Sequence, residues 1–286
     1  MKKTKIGLVL EGGGMRGMYT AGVLDELMLR DIKADGVIGV SAGSIAACSY
    51  ISGQVGRTIR YNLKYIRDKR YCSLKSLIKT GDLFNEQFCY HEIPDKLSPI
   101  NYKTFRDNCK DMSFYITCTD LDDGSAYYHP CADIFADMDY LRASASLPLV
   151  SNIVEIDGKH LLDGGTADSI PVKFMESIGY DKNIIVLTRP EGYVKKPDSM
   201  IKFLEKKYKD YPLYVEACRN RYKVYNDTID YIEKAEIEGR CLVIRPSRET
   251  KIKRLDKNID RLKKVYKLGR FDTINMMDQI EAFINE

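Results

Sequence analysis

Strand-like and helix-like segments alternate along the first 190 residues of the chain. Runs of aliphatic and β-branched residues predict strands, and apolar residues three or four positions apart predict helices. The predicted strands cover 5–10, 34–40, 112–121 and 183–190, and the predicted helices cover 18–31 and 44–53. The segment 151–165 predicts a hairpin with Asp157-Gly158 as its turn. This alternation is typical of an α/β fold with a mostly parallel central sheet and helices on both faces.

The composition changes after Pro190. Residues 199–238 and 251–284 show helical periodicity, and a short strand is predicted at 240–246. From residue 195 onwards, 22 Lys and Arg stand against 16 Asp and Glu, so this part carries the positive charge of the chain. We therefore divide the chain into 1–194 and a basic, mainly helical C-terminal extension, 195–286, that packs on the core. Its charge indicates either a solvated helical surface or attraction to anionic lipid headgroups.

The compartment is indicated by the first strand and by the cysteines. The apolar run 6–10 is too short to span a membrane and ends at Glu11, so we interpret it as a strand and not as a secretion signal. Eight cysteines are scattered without a CxxC pair, and only three histidines are present. We expect reduced thiols in the cytoplasm, no metal and no cofactor. No motif for RNA or DNA is present, so no nucleic acid partner is expected.

The second predicted strand continues directly into Gly39-Val40-Ser41-Ala42-Gly43, which has the form G-x-S-x-G. A serine between a strand and a helix sits on a sharp turn, where the flanking glycines remove side chains that would collide with neighbouring backbone. The start of the following helix favours negative charge near that serine. Ser41 is therefore a candidate nucleophile, the alternative being that it only caps the helix.

A serine nucleophile needs a base. No histidine follows residue 160, although a Ser-His-Asp triad on a sheet of this kind places its histidine after the acid. One of His91, His129 and His160 is one candidate. The other is Asp163 in "LLDGG", because a half-buried aspartate at a strand end can accept the serine proton. The alternative for Asp163 is a turn-forming role.

The glycine-rich segment 11–17, "EGGGMRG", follows the first strand. Its bare backbone suits an oxyanion hole made of N–H groups, or an anion nest that holds a phosphate. Gly12, Gly14 and Gly17 also match G-x-G-x-x-G, the dinucleotide fingerprint, but that reading leaves the serine motif unexplained. A P-loop is not indicated, because the Gly-Lys-Ser/Thr sequence is missing.

Four blocks together resemble the patatin-like phospholipases: "EGGGMRG", "GVSAGS", "ASASLPLV" at 143–150 and "LLDGG". They occur in the order and spacing of that family over about residues 5–190. The resemblance implies a three-layer α/β/α fold and a catalytic dyad with Ser41 as nucleophile and Asp163 as base. It also implies an oxyanion hole at Gly12, Gly13 and Gly14, with the N–H groups of Gly13 and Gly14 as donors. Arg16 would then fix this loop, and Gly39 and Gly43 would form the nucleophile elbow.

One departure from the family pattern is Glu11, where the family usually has aspartate. The implied function is a metal-independent serine hydrolase of lipid or other carboxylic esters, with peripheral contact to an anionic membrane as a second expectation. Acyl transfer by the same dyad, a nucleotide- or phosphate-binding module, and a silent scaffold are the alternatives. Leu147, Pro148 and Leu149 are candidates to line an acyl groove or to pack in the core. Cys48 is interpreted as a buried packing thiol.

Overall fold

The computed structural model describes residues 4–285, so Met1, Lys2, Lys3 and Glu286 of the two predicted segments lie outside the described residues. Within this range the strands form one sheet. They are β1 (Ile6–Leu10), β2 (Gly36–Val40), β3 (Ser113–Asp120), β4 (Ala126–Pro130), β5 (Val154–Ile156), β6 (Lys159–Asp163), β7 (Lys182–Val186) and β8 (Cys241–Ile244).

The sheet has the order β5-β6-β3-β2-β1-β7-β8, with β4 paired to β3. β1, β2, β3, β7 and β8 are parallel to one another. β4 and β6 run antiparallel to β3, and β5 and β6 form the predicted hairpin. Asp157 and Gly158 have φ values of 50° and 76° in its turn, as a tight two-residue hairpin turn requires. The prediction missed β4, in which Tyr and His residues alternate without a clear apolar face.

Helices cover both faces of the sheet. They are α1 (Met18–Leu29), α2 (Ala42–Ile51), α3 (Arg57–Tyr65), α4 (Leu74–Thr80), α5 (Tyr102–Asn108), α6 (Met138–Ser144), α7 (Val172–Ser177), α8 (Ile201–Lys207), α9 (Pro212–Ile237), α10 (Ile259–Asn275) and α11 (Met277–Asn285). A 3₁₀ turn lies at Gly14–Gly17, and a π-helical segment lies at Gln87–Leu97.

Alternate residues of the central strands separate two apolar clusters. Leu8 and Leu10 of β1 pack with α1, α2 and α10, whereas Val9 packs with α7 and α9. Successive strand residues point to opposite faces, so this division places one helical layer on each side of the sheet. The predicted three-layer α/β/α fold is confirmed.

Residues after 195 pack against this core. β8 extends the sheet beside β7, and α10 crosses α1 where Gly22 and Gly269 bring the two backbones together. A Cβ atom at Gly22 would collide with the carbonyl of Tyr266, and one at Gly269 would collide with the carbonyl of Tyr19. The predicted helix at 251–284 is wrong over 251–258, which is irregular and passes beside the glycine-rich loop. The division at residue 195 stays a prediction.

Candidate active site

Ser41 occupies a strained turn between β2 and α2. Its φ and ψ are 55° and −121°, a conformation that a non-glycine residue adopts only when its surroundings enforce it. A Cβ atom at Gly39 would lie 2.5 Å from Ser44 N, and one at Gly43 would collide with the carbonyl of Leu10. These close approaches are the physical reason for both glycines. The Ser41 side chain makes no capping hydrogen bond, so a pure capping role is excluded.

Ser144 holds the turn from below. Ser41 N donates to Ser144 Oγ at 2.9 Å, and Ser144 Oγ donates its hydrogen to the carbonyl of Thr117 at 2.6 Å. Ser44 Oγ lies 3.2 Å from Ser144 Oγ and therefore acts as the donor in that pair. Ser144 is fully buried at the end of α6, inside the "ASASLPLV" block. Sequence reasoning singled out this block but missed the role of this hydroxyl.

Asp163 is brought beside Ser41 by the register of the sheet. On β3, Thr117 pairs with Val40 of β2, and Cys118 pairs with Asp163 of β6. β4 pairs with residues 115–119 of β3, so β2 and β6 share the opposite edge and meet end to end. Asp163 therefore ends its strand next to the residue that precedes Ser41. Both side chains are buried and line one narrow polar cleft, the catalytic cleft.

The Asp163 carboxylate is oriented by its own turn. Gly165 N donates to Asp163 Oδ1 at 2.8 Å, which is the turn-forming role considered as the alternative for this residue. The side chain performs that role and still lines the catalytic cleft. Arg221 Nε donates to the carbonyl of Gly165 and ties the turn to α9. Sequence reasoning gave no indication of Arg221, which reaches the site only through tertiary packing.

The glycine-rich loop forms another wall of the catalytic cleft. Glu11 N donates to Val186 O and Arg16 N donates to Gly13 O. Across residues 4–285, no acceptor meets the N–H groups of Gly13 and Gly14, so both remain for a negatively charged oxygen. A Cβ atom at Gly12 would lie 3.1 Å from Ser41 Cβ, which shows how closely the loop approaches the serine.

Glu11 anchors this loop rather than facing substrate. It is 3% exposed, and its carboxylate accepts hydrogen bonds from Thr188 N, from Thr188 Oγ1 at 2.9 Å and from Tyr225 Oη at 3.1 Å. It thereby joins the end of β1 to the end of β7 and to α9. The residue that departs from the family pattern is fully satisfied in this role.

The C-terminal residues also hold the loop. Met15 N donates to the carbonyl of Arg254 at 2.9 Å, and Gly14 has a φ of 56° with Arg254 packed against it. A side chain at Gly14 would collide with Arg254. The irregular segment 251–258 therefore contacts the loop that the sequence assigns to the oxyanion hole.

An apolar cavity, the acyl cavity, opens from the other side of Ser41. It encloses about 950 Å³ of space including its open mouth. Among the residues that line it are Met15, Met18, Ile45, Tyr90, Ile93 and Leu147. Leu147 also lines the catalytic cleft, as predicted for an acyl groove. Pro148 and Leu149 line a separate pocket beside α8 instead, because the chain turns away at Leu149, whose φ is 70°.

The histidines and Cys48 lie elsewhere in the fold. His129 lies 2.9 Å from Asp137 and stacks on Tyr140, His160 pairs with Asp122, and His91 lies on the π-helical segment. The catalytic cleft is lined by none of the three. Burial raises the pKa of the Cys48 thiol to about 12, which agrees with a packing role.

Two further searches cover residues 4–285. No group of three or more His, Cys, Asp or Glu side chains there is arranged to hold a metal ion. No helix in the same range is long and apolar enough to cross a bilayer.

Comparison with protein families assigns both parts of the chain. The model for patatin-like phospholipase matches residues 8–175, which is more than half of the chain. A second model, described as a domain of unknown function (DUF6363), matches residues 211–285. The first match confirms the resemblance drawn from the four sequence blocks.

Curated relatives include uncharacterized protein YjjU of Escherichia coli, 29% identical over 93% of this chain and 75% of its own length. Lysophospholipase nte1 of Emericella nidulans is 28% identical over 84% of this chain, but the match spans only 16% of that much longer protein. Among solved structures, VipD from Legionella pneumophila aligns over 97% of this chain and 67% of its own, with 10% identity and a TM-score of 0.48.

Proposed function

Since this chain belongs to the patatin-like phospholipase family, we propose that it is a metal-independent serine lipid acyl hydrolase of the phospholipase A or carboxylesterase type. The observation that carries the proposal is the composition of the catalytic cleft. Ser41, Asp163 and the glycine-rich loop line it together, although they come from three distant parts of the sequence. The acyl cavity opens at the same serine.

In the proposed reaction, Ser41 Oγ attacks the ester carbonyl carbon and its proton passes to Asp163. The carbonyl oxygen becomes an oxyanion and accepts hydrogen bonds from the N–H groups of Gly13 and Gly14. The C–O bond to the alcohol then breaks, Asp163 returns its proton to the alcohol oxygen, and an acyl-serine remains. A water molecule gives a proton to Asp163, attacks the acyl-serine and releases the fatty acid.

Local structure supports each role. Ser41 begins the ten-residue helix α2, whose N-terminus favours negative charge at the serine. Asp163 is oriented by the N–H of Gly165, which leaves its second oxygen for the serine proton. Arg16 is buried behind the loop, where burial and nearby Arg189 lower its pKa to about 10. A positive charge at this place stabilises the oxyanion through space.

The test is hydrolysis of p-nitrophenyl butyrate and a short-chain phospholipid by the wild type, Ser41→Ala and Asp163→Asn, with and without EDTA. We expect turnover that is unaffected by EDTA and lost in both variants. Asp122→Asn, which removes the carboxylate beside His160, is the matched control and should keep wild-type turnover. Turnover by Ser41→Ala, or dependence on a chelatable metal, would contradict the proposal.

We further propose a cytoplasmic enzyme that contacts anionic membranes from its extension. All eight cysteines are unpaired, in keeping with a reducing compartment. On α8, Phe203 is 61% exposed and stands among the exposed lysines Lys202, Lys206 and Lys207. An aromatic residue within a basic surface is suited to a negatively charged bilayer.

A further inference from the structure

Five cationic side chains converge on the outer side of the catalytic cleft. Arg16, Arg189, Lys195, Arg221 and Arg254 together line one polar cavity, the cationic cleft. Four of them, all except Arg189, also line the catalytic cleft beside Ser41 and Asp163. The two spaces are therefore continuous through these side chains. Lys195, Arg221 and Arg254 belong to the extension, so the segment 195–286 supplies most of this charge.

These cations lack the ion pairs that their neighbours have. In the same extension, Arg219, Arg240, Arg245, Arg261 and Arg270 each pair with a carboxylate. Among residues 4–285, no carboxylate oxygen lies within 4.0 Å of a charged nitrogen of the five cleft side chains. Arg16 is 8% exposed, and its Nε is buried without a hydrogen-bond partner. An unpaired buried guanidinium is costly, which indicates that an anion completes the site.

The local electrostatics agree with that view. Burial and the charge of Arg221 lower the pKa of Lys195 to about 7, and burial and the same arginine lower the pKa of Arg254. The acids that face the cavity are Glu11, Asp163 and Asp198. Glu11 is already bonded to Thr188 and Tyr225, Asp163 belongs to the proposed dyad, and Asp198 is exposed. Positive charge therefore remains in excess until a ligand enters.

The aromatic rings of the cleft are also occupied by cations. Arg189 Cζ lies 4.3 Å from the ring centre of Tyr193, and Lys195 Nζ lies 4.3 Å from that of Tyr225. A quaternary ammonium group would need such rings for itself, or a free carboxylate. A phosphate with no attached amine needs neither and is matched by guanidinium and ammonium donors.

Ser41 lies between the acyl cavity and the cationic cleft. An ester at Ser41 would thus direct its acyl chain to the apolar side and its alcohol to the cationic side. We propose that the cationic cleft binds a phosphate carried by the alcohol portion of the substrate, so that preferred substrates are acyl esters with a net negative phosphate headgroup. This inference rests on the proposed hydrolase for the identity of the ester and deepens it by naming the substrate class.

The test is the binding of two uncleavable single-chain ethers, a 1-O-alkylglycerol 3-phosphate and the corresponding 1-O-alkylglycerol, to the full chain at 150 mM salt. Calorimetry should show at least 10-fold tighter binding of the phosphate-bearing ether. This preference should fall at least fivefold in Lys195→Gln and in Arg189→Gln, and it should persist in Lys195→Arg. Lys234→Gln, on the exposed surface of α9, is the matched control. Thermal unfolding checks that each variant is folded.

Equal affinity for the two ethers, or an unchanged preference in both glutamine variants, would overturn the proposal. Inorganic phosphate is titrated in parallel. If it binds while the two ethers bind equally, the cleft takes a free phosphate and the headgroup assignment is wrong. Because ethers are not cleaved, these results do not depend on turnover. Failure of the hydrolase itself is detected separately, as absence of hydrolysis of the matching acyl esters.

Discussion

Replacing Ser144 by alanine tests whether the strained serine turn depends on one buried hydroxyl. The substitution removes the acceptor for Ser41 N and the donor to Thr117 O. A buried polar group left without its partner costs about 1–3 kcal/mol. The Ser41 conformation, at a φ of 55°, itself stores about 1–3 kcal/mol of strain that the surroundings must hold.

We take about 2 kcal/mol as the expected loss, from one unpaired N–H in a fully buried place. It lowers the free energy of unfolding by that amount and the midpoint of thermal unfolding by several degrees. If the same energy is lost from the turn that presents Ser41, the population able to react falls by about 30-fold. The assay is the rate of labelling of Ser41 by a fluorophosphonate probe, measured beside the unfolding midpoint.

Ser146→Ala is the matched control. Its hydroxyl donates at 2.8 Å to Arg142 O, within a local turn, and makes no contact with the Ser41 backbone. Labelling of that variant should stay within twofold of the wild type. If Ser144→Ala is labelled at the wild-type rate and unfolds at the same temperature, the reasoning that links this hydroxyl to the reactive turn is refuted.

Three further predictions follow from other parts of the fold. Gly269→Ala should lower the free energy of unfolding by about 1–3 kcal/mol, because its methyl meets the α1 backbone, while the exposed Lys267→Ala should change it by less than about 0.5 kcal/mol; equal unfolding midpoints would contradict the close crossing. Between pH 7 and 9, KM for a phosphate-bearing ester should rise relative to a neutral ester, because Lys195, with a pKa of about 7 beside Glu11, Arg16, Arg221 and Arg254, loses its charge; in Lys195→Gln this component should disappear, and its persistence there would assign it to another group. Sedimentation with liposomes at low salt should show more binding to anionic than to neutral vesicles, reduced in Phe203→Ser but not in Phe271→Ser, which is 58% exposed on α10; equal binding to both vesicles would refute the membrane contact.

The parts of the site that sequence reasoning predicted depend on short-range rules. The glycines at 39 and 43 flank the serine because of backbone contacts that any strand-to-helix turn of this kind makes, so their spacing is visible in the sequence. The hairpin around Asp157-Gly158 is predictable for the same reason. Asp163 lies at the end of this hairpin, and only the sheet register brings it to Ser41.

The parts that were missed depend on long-range packing. Lys195, Arg221 and Arg254 lie in segments whose composition matches any solvated basic helix or loop. Their role becomes visible only when the extension folds back and leaves them without carboxylates. The segment 251–258 has helical spacing in sequence, but contact with the glycine-rich loop keeps it irregular. Tertiary contacts outweighed local propensity there.

The most direct test of the dyad is to find where the acyl group goes. Wild type, Ser41→Ala and Asp163→Asn are mixed with p-nitrophenyl butyrate, quenched at short times, digested and mapped by mass spectrometry. We predict a butyryl group on the peptide that contains Ser41, none in Ser41→Ala, and formation slower by at least about 100-fold in Asp163→Asn, as loss of a general base requires. An adduct on another residue such as Cys48, or formation at the wild-type rate in Asp163→Asn, would contradict the Ser41–Asp163 mechanism.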